Sequence, residues 1–322
     1  MHVGEDEHQF TAVAIDPEDR VLLTDFDHWQ MLPTTFQRFS SDGLRETMVA
    51  FDTEAWVRDI ASDSDRGRVL LAGDDDGAIG YWVFDDTNDS LSAHRDLFDI
   101  SWSQSRTVEL GLWSDGSFLL AGAHKDHKKR WMVRFDETEQ ESWRAQWPLS
   151  VAAGPGADVV EVAVGSGGIA LLALSGWEEG GFGIEAIDSA GVAMWGQPMV
   201  DLSLRGAVGL EDGTWVAVGR PPGGSTLALR AHDADGGLRW SRQTDLAGFG
   251  PIHRCGPDRL IIPGSGGLRA YVVDAHNGDL VETVSYEEEG VMLWEASEAF
   301  CTSDGGFILA GSLTTTDGPY EG

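Results

Sequence analysis

Residues Asp304–Ser312 read DGGFILAGS, and close variants recur: DGSFLLAGA from Asp115, DGTWVAVGR from Asp212 and RGRVLLAGD from Arg66. Alignment on the apolar run inside this phrase gives seven copies. They are Val21–Asp25, Val69–Gly73, Phe118–Gly122, Ala170–Leu174, Trp215–Gly219, Leu260–Gly264 and Phe307–Gly311. Their last residues lie 48, 49, 52, 45, 45 and 47 positions apart. So regular a spacing marks stacked supersecondary units, each too small to bury its own apolar faces.

Each period holds more than this anchor run. A second β-like segment follows and tends to end in Asp, as in Tyr81–Asp85, Trp131–Asp136, Gly183–Asp188, Leu227–Asp233 and Tyr271–Asp274. Then come a turn and a short segment often carrying Trp: Asp136–Trp143, Asp188–Trp195 and Asp233–Trp240. Another apolar segment precedes each run, such as Thr107–Gly116 or Gly206–Gly213. The pattern is four short strands separated by Gly- and Asp-rich turns. A four-stranded unit of roughly 40–50 residues is the size of one propeller blade. The expected fold is all-β, a β-propeller of four-stranded antiparallel blades in one domain over residues 1–322. The approximate repeats are 8–54, 55–103, 104–149, 150–202, 203–248, 249–293 and 294–322. The seventh is incomplete, and a six-bladed ring is the alternative reading. The glycines ending the anchor runs, Gly73, Gly122, Gly219, Gly264 and Gly311, should let the chain turn sharply or approach a neighbour closely. No sustained 3.6-residue apolar period is present, so helices should be few.

The element Asp188-x-x-Gly191-x-x-x-Trp195, and its relative ending at Trp240, resembles the turn-and-tryptophan unit of pyrroloquinoline-quinone-like propeller repeats. The resemblance implies that the Trp docks one blade on the next, and this carries over to Trp143, Trp195 and Trp240. Ser303–Ser312 is similar to the repeat of secreted and surface-attached bacterial propeller proteins, which implies an extracytoplasmic setting in a bacterium. The quinone-dependent dehydrogenases of that fold carry adjacent cysteines beside the cofactor. This chain has no Cys-Cys pair, so no quinone cofactor is expected.

Asp and Glu total 54 against 22 Lys plus Arg, a formal net charge of -32. Such a surface repels nucleic-acid phosphates and anionic headgroups and favours cations and basic partners. No nucleic-acid partner is expected. Salt adaptation is a second reading of the same acidity. No apolar window approaches the length of a membrane span. The opening MHVGEDEHQF lacks the basic and apolar regions of a signal peptide.

Several groups are candidates for chemistry. All three lysines fall in one cluster, His124, Lys125, His127, Lys128, Lys129 and Arg130. It should form an exposed hairpin loop, either a solvated turn or a site for an anion or acidic partner. Asp74–Gly77, Asp63–Gly67, Asp233–Gly237 and Asp274–Asp279 have the oxygen density that calcium prefers, without a closing bidentate Glu. Tight turns need the same residues, so only weak calcium binding is expected. Cys255 and Cys301 lie 46 apart, close to one period, which gives them near-equivalent places on neighbouring blades, either as a disulfide in an oxidising compartment or as two buried thiols packed like small apolar residues. The thirteen tryptophans recur in strands, which favours packing between blades over sugar stacking. No nucleophile elbow, P-loop or H-E-x-x-H motif is present.

The expected function is a non-catalytic, monomeric propeller scaffold that binds a protein or other ligand. The competing expectation is a hydrolase or oxidoreductase with its site at the mouth of the central channel. No catalytic residue can be selected among 54 acids.

Overall fold

The computed structural model describes residues 9–27, 32–52, 55–75, 78–99, 105–124, 129–148, 157–176, 182–248, 250–265, 268–286 and 291–315. The first sheet holds β1 (Gln9–Ile15), β2 (Val21–Asp27), β3 (Leu32–Phe39) and β4 (Arg45–Ala50). The second holds β5 (Ala55–Asp63), β6 (Arg68–Asp75), β7 (Ala78–Asp85), β8 (Ser90–Leu91) and β9 (Arg95–Asp99). The third holds β10 (Ser105–Leu112), β11 (Phe118–His124), β12 (Lys129–Phe135) and β13 (Glu141–Pro148). The fourth holds β14 (Ala157–Val164), β15 (Ala170–Gly176), β16 (Phe182–Ile187) and β17 (Ala193–Pro198). The fifth holds β18 (Ser203–Gly209), β19 (Trp215–Arg220), β20 (Thr226–His232) and β21 (Leu238–Ala247). The sixth holds β22 (His253–Arg254), β23 (Arg259–Gly264), β24 (Leu268–Asp274) and β25 (Leu280–Tyr286). A two-stranded sheet, β26 (Val291–Cys301) and β27 (Phe307–Thr315), follows.

Each of the first six sheets is an antiparallel meander in chain order, as in a propeller blade. The six-bladed form of the expectation is matched, and among the described residues the seventh repeat contributes a hairpin. In blade 2 the fourth-strand place is split, because β8 and β9 pair with opposite ends of β7. Helix among the described residues is confined to two single 3-10 turns. Contacts divide the chain into two compact units, residues 1–149 with 155–159, and 150–154 with 160–322.

The anchor run is the second strand of every blade, and it is where the core sits. Leu70, Leu71, Phe118, Leu119, Leu120, Val216, Leu260 and Ile261 are at most 1% exposed. Burial of each such side chain contributes about 2 kcal/mol. Alternate residues of a strand face opposite sides, so one run feeds two seams. In the first unit, Leu70 and Phe118 join the core between blades 2 and 3, while Leu71 joins that between blades 1 and 2. In the second unit, Val216 and Leu260 share a core between blades 5 and 6.

The Asp-rich turns have a repeated internal construction. In the turns that begin at Asp136, Asp188 and Asp233, the first N–H donates to the carbonyl four residues on. The N–H of the fourth turn residue donates back to the first carbonyl. The Asp carboxylate also accepts two backbone N–H groups, Thr138 and Gln140, Ala190 and Val192, or Asp235 and Gly237. The fourth residue must take a positive φ, which Gly191 (80°) and Gly236 (85°) do without steric cost. Glu139 occupies this place in blade 3 at 63°. Its carboxylate is held by Arg68 at 2.8 Å and Arg95 at 2.5 Å, both from blade 2.

The same turns are the docking points between blades. Trp195 of blade 4 lies on Gly236 of blade 5, where a Cβ would come within 2.7 Å of the ring, and its indole N–H donates to Ala234 O at 2.7 Å. Trp240 of blade 5 lies in the same way on Gly278 of blade 6. Trp143 is half-buried on β13. Arginines reinforce these seams. Arg20 bridges Asp16 and Asp86, Arg38 reaches Asp86 and Asp89, and Arg254 meets Glu211 at 2.7 Å. The anchor glycines allow close approach within their own blades. A Cβ at Gly73 would meet Trp56 O at 2.1 Å, and one at Gly219 would meet Ser203 O at 2.4 Å. Both contacts lie inside the glycine's own blade, where a bulge in the first strand pushes its backbone toward the second. At Gly264 the neighbours are Arg269 and Tyr271 of the same blade. Gly122 and Gly311 pair with Val108 and Ala296 of the preceding strand.

Gly73→Ala and Gly219→Ala should each cost about 2 kcal/mol or more in urea unfolding, because backbone cannot yield to the new methyl. Trp195→Phe should cost about 1 kcal/mol by losing one hydrogen bond, and Trp195→Ala about 3 kcal/mol.

Acid should act in two windows. Burial pushes the His232 imidazole below its ordinary value of 6.5. The folded protein then binds fewer protons there than the unfolded chain, so this contribution is intact above pH 6.5 and is lost as pH falls below it. Hydrogen bonds from Thr214 and Arg239 hold Asp212 at about 2. Side-chain bonds from Ser117, Thr138 and Thr302 also lower Asp115, Asp136 and Asp304. Those contributions are intact above 3.8 and are lost as pH falls through the lowered values. His232→Phe should remove part of the decline below pH 6.5 in circular dichroism at fixed urea, and leave the steeper loss below 3.8.

Candidate functional site

Among the described residues, the inner strand of each blade pairs with the anchor strand on one edge and with no strand on the other. In the second unit, β14, β18 and β22 together line a cleft of about 280 Å³. Its walls are Glu161–Val164, Ala207–Gly209 and Ile252–Arg254. Small residues leave this room. A Cβ on Gly206 would meet Pro251 Cα at 2.9 Å, so that glycine allows the inner strands of blades 5 and 6 to approach. Gly165 and Gly209 close over the Trp215 ring, which would lie 2.6 and 2.7 Å from added Cβ atoms.

The polar groups of the cleft are engaged. His253 Nε2 lies 2.8 Å from Glu298 Oε2, and both side chains are about a quarter to a third exposed. The His253 ring also packs on Phe300, with centroids 4.5 Å apart. Arg254 donates to Glu211 Oε1 at 2.7 Å. Glu161 stands on the facing strand β14.

Glu161 and Glu298 share a place in the repeat. Each lies four residues before the first residue of the turn into the anchor strand, Gly165 and Thr302. Glu109 stands four before Trp113, and Asp59 four before Asp63. Asp59 shows what a carboxylate does there. It accepts the Ile60 N–H and also the Leu110 N–H of the next blade, each at 2.7 Å. An inner-strand edge thereby gains a partner for one of its orphan donors. This periodic acid was not selected in the sequence. Alignment on the turn, four positions downstream, is the signal that finds it.

The candidates read from sequence scatter. In the basic cluster, residues 125–128 and the side chains of His124 and Lys129 lie outside the described residues. Arg130 corrects the exposed-loop expectation. It is 2% exposed, inside β12, and pairs with Ala123 and Trp147. The strand begins at Lys129, so this side chain stands on a sheet face rather than in the hairpin turn. Among the calcium-like turns, Asp63 is bound to Arg68 at 2.9 Å, and Asp274 accepts the His276 and Asn277 N–H groups. Asp74 is buried beside Arg58, 3.4 Å away, and burial pushes its carboxyl up. Among the described residues, no three His, Cys, Asp or Glu side chains converge as a metal site. Cys255 and Cys301 are joined, with Cα atoms 5.2 Å apart, and tie the turn after β22 to the end of β26.

No family model and no curated protein matches the sequence. Solved structures do. Hydrazine synthase of Kuenenia stuttgartiensis is similar at 12% identity and a TM-score of 0.71, covering 98% of this chain and 98% of that one. The Dos1 propeller is similar at 12% identity and a TM-score of 0.64, covering 96% of this chain and 80% of that one. A protein of unknown function from Bacteroides caccae gives 14% identity and a TM-score of 0.50, over 76% and 83% of the two chains. At these identities the likeness is one of fold, and it shows that this chain is a β-propeller.

Proposed function

We propose that this chain is a non-catalytic binding propeller whose ligand site is the cleft on β14, β18 and β22. One observation carries the reading. The His and Arg at the cleft are each held by a carboxylate, while the unpaired edges of three inner strands leave backbone N–H and C=O groups for a ligand. A lining of this kind orients a polar ligand by hydrogen bonds without a reacting side chain. The charge of -32 and Glu161 favour a ligand or protein loop that carries positive charge. The Cys255–Cys301 bond accords with an oxidising, extracytoplasmic setting, and the wider acidic surface with weak calcium binding.

A second reading is a hydrolase or oxidoreductase at the same place. The His253–Glu298 pair favours it, because a carboxylate that orients one imidazole nitrogen leaves the other as a general base.

Ligand-observed NMR with a set of small amines and neutral polar fragments separates the two readings. Binding of amines that weakens about fivefold or more in Glu161→Gln, with no turnover, is the expected outcome. Hydrolysis of simple esters or phosphoesters that disappears in His253→Ala would establish the enzyme instead.

A further inference from the structure

We propose that the Cys255–Cys301 disulfide is a redox clamp on the cleft of β14, β18 and β22: reduction by a thiol releases β22 and weakens ligand binding there. The proposal rests on the reading of that cleft as a ligand site and adds its regulation. Every residue it uses lies in the second compact unit.

The bond sits beside the polar wall of the cleft. Cys255 directly follows His253 and Arg254, the two residues of β22 that line it. Cys301 ends β26, the strand that also carries Glu298, the carboxylate 2.8 Å from His253 Nε2. Phe300, next to Cys301, packs its ring on the His253 imidazole. Two links therefore join the same short stretches of β22 and β26. One is covalent, with Cα atoms 5.2 Å apart, and the other is the His253–Glu298 pair.

Of the two strands, β22 is the one that needs holding. It has two residue pairs with β23, whereas β18 has six with β19. A strand with so few ladder bonds opens locally at low cost. Its start is fixed, because Ile252 is 2% exposed in the core between blades 5 and 6. Its far end runs into an exposed turn, where Gly256 has a φ of 84° and open space around it. The disulfide fastens that end to a firmer strand. β26 has nine residue pairs with β27, and Ala296 and Ala299 are at most 1% exposed. With the bond open, the side-chain contact left between the two polar groups is one partly exposed pair, and such pairs hold little in water.

The bond is open to thiol chemistry. Both cysteines are half-buried, and residues 256–259 beside Cys255 are exposed. One thiolate of a small dithiol attacks a cysteine sulfur, and the S–S bond breaks with its electron pair on the other. The second thiol of the reductant then closes a ring and frees the first cysteine. The protein gains two electrons and two protons as two thiols, and the reductant leaves as a cyclic disulfide.

The test compares the oxidised chain with the chain reduced by dithiothreitol, well below the unfolding temperature of either. In hydrogen exchange, the amides of His253–Cys255 should exchange about tenfold faster or more after reduction, while β18 and β19 keep their rates. Unchanged exchange at His253–Cys255 would overturn the clamp. So would an equal acceleration across blades 5 and 6, which marks a bond that only stabilises the fold. Butylamine, followed by ligand-observed NMR, should bind about fivefold more weakly to the reduced chain. Saturating butylamine should then shift the dithiothreitol equilibrium toward the disulfide by that same factor. Equal affinity of the two forms would overturn the regulation alone. No binding to the oxidised chain would overturn the ligand site and the regulation with it. The double variant Cys255→Ala, Cys301→Ala should match the reduced chain and ignore dithiothreitol, and a response to dithiothreitol in it would overturn the assignment to this bond. Should that variant not fold, the reduced natural chain carries the comparison.

Discussion

The structure depends on burying one strand, the anchor run, on both faces at once. In blade 2 the sheet hides one face of its second strand against blade 1 and the other against blade 3. Leu70 and Leu71 are adjacent in sequence, yet they belong to different cores, one on each side of blade 2. No blade can satisfy this condition alone, so its cost is met only by repetition. The conserved geometry of the rest follows from it. The first strand bulges toward the second, and that bulge is why Gly73 and Gly219 cannot carry a side chain.

The second recurrent device is the Asp turn, and it changes the meaning of the acidic composition. Asp136, Asp188 and Asp233 spend their carboxylates on their own backbone, and others pair with arginines at the blade seams. Much of the oxygen density that looks like calcium chemistry is therefore occupied by protein donors. The tryptophans complete the seam by lying on the glycine that the turn requires. Trp195 and Gly236 show the coupling directly, since the positive φ and the ring contact both exclude a side chain at residue 236.

Where the repeat departs from its own rule, the departures fall at interesting places. Gly206 and Pro251 of blades 5 and 6, like Ala12 of blade 1, stand at the register where blades 2, 3 and 4 and the seventh repeat carry Asp59, Glu109, Glu161 and Glu298, and the cleft is lined by the residues that follow Gly206 and Pro251. Blade 3 places Glu139 where a glycine would be unstrained, and two arginines of blade 2 hold it. Among the described residues the seventh repeat is the two-stranded sheet of β26 and β27.

The sequence by itself determined the all-β class, the blade as the repeating unit and the identity of the core strand. Those features are written in local order: an apolar run, a fixed spacing, and the Asp and Gly that tight turns demand. It also placed Cys255 and Cys301 one period apart, because a repeat converts sequence distance into neighbouring positions. Only the tertiary structure decided which polar residues meet. Arg130 is buried on a sheet face because β12 already begins at Lys129. The pairing of His253 with Glu298 joins residues on strands β22 and β26. The periodic inner carboxylates were present in the sequence but were lost among 54 acids. Their common feature is a distance from a turn, and it gains physical meaning once Asp59 is seen reaching the Leu110 N–H of the next blade.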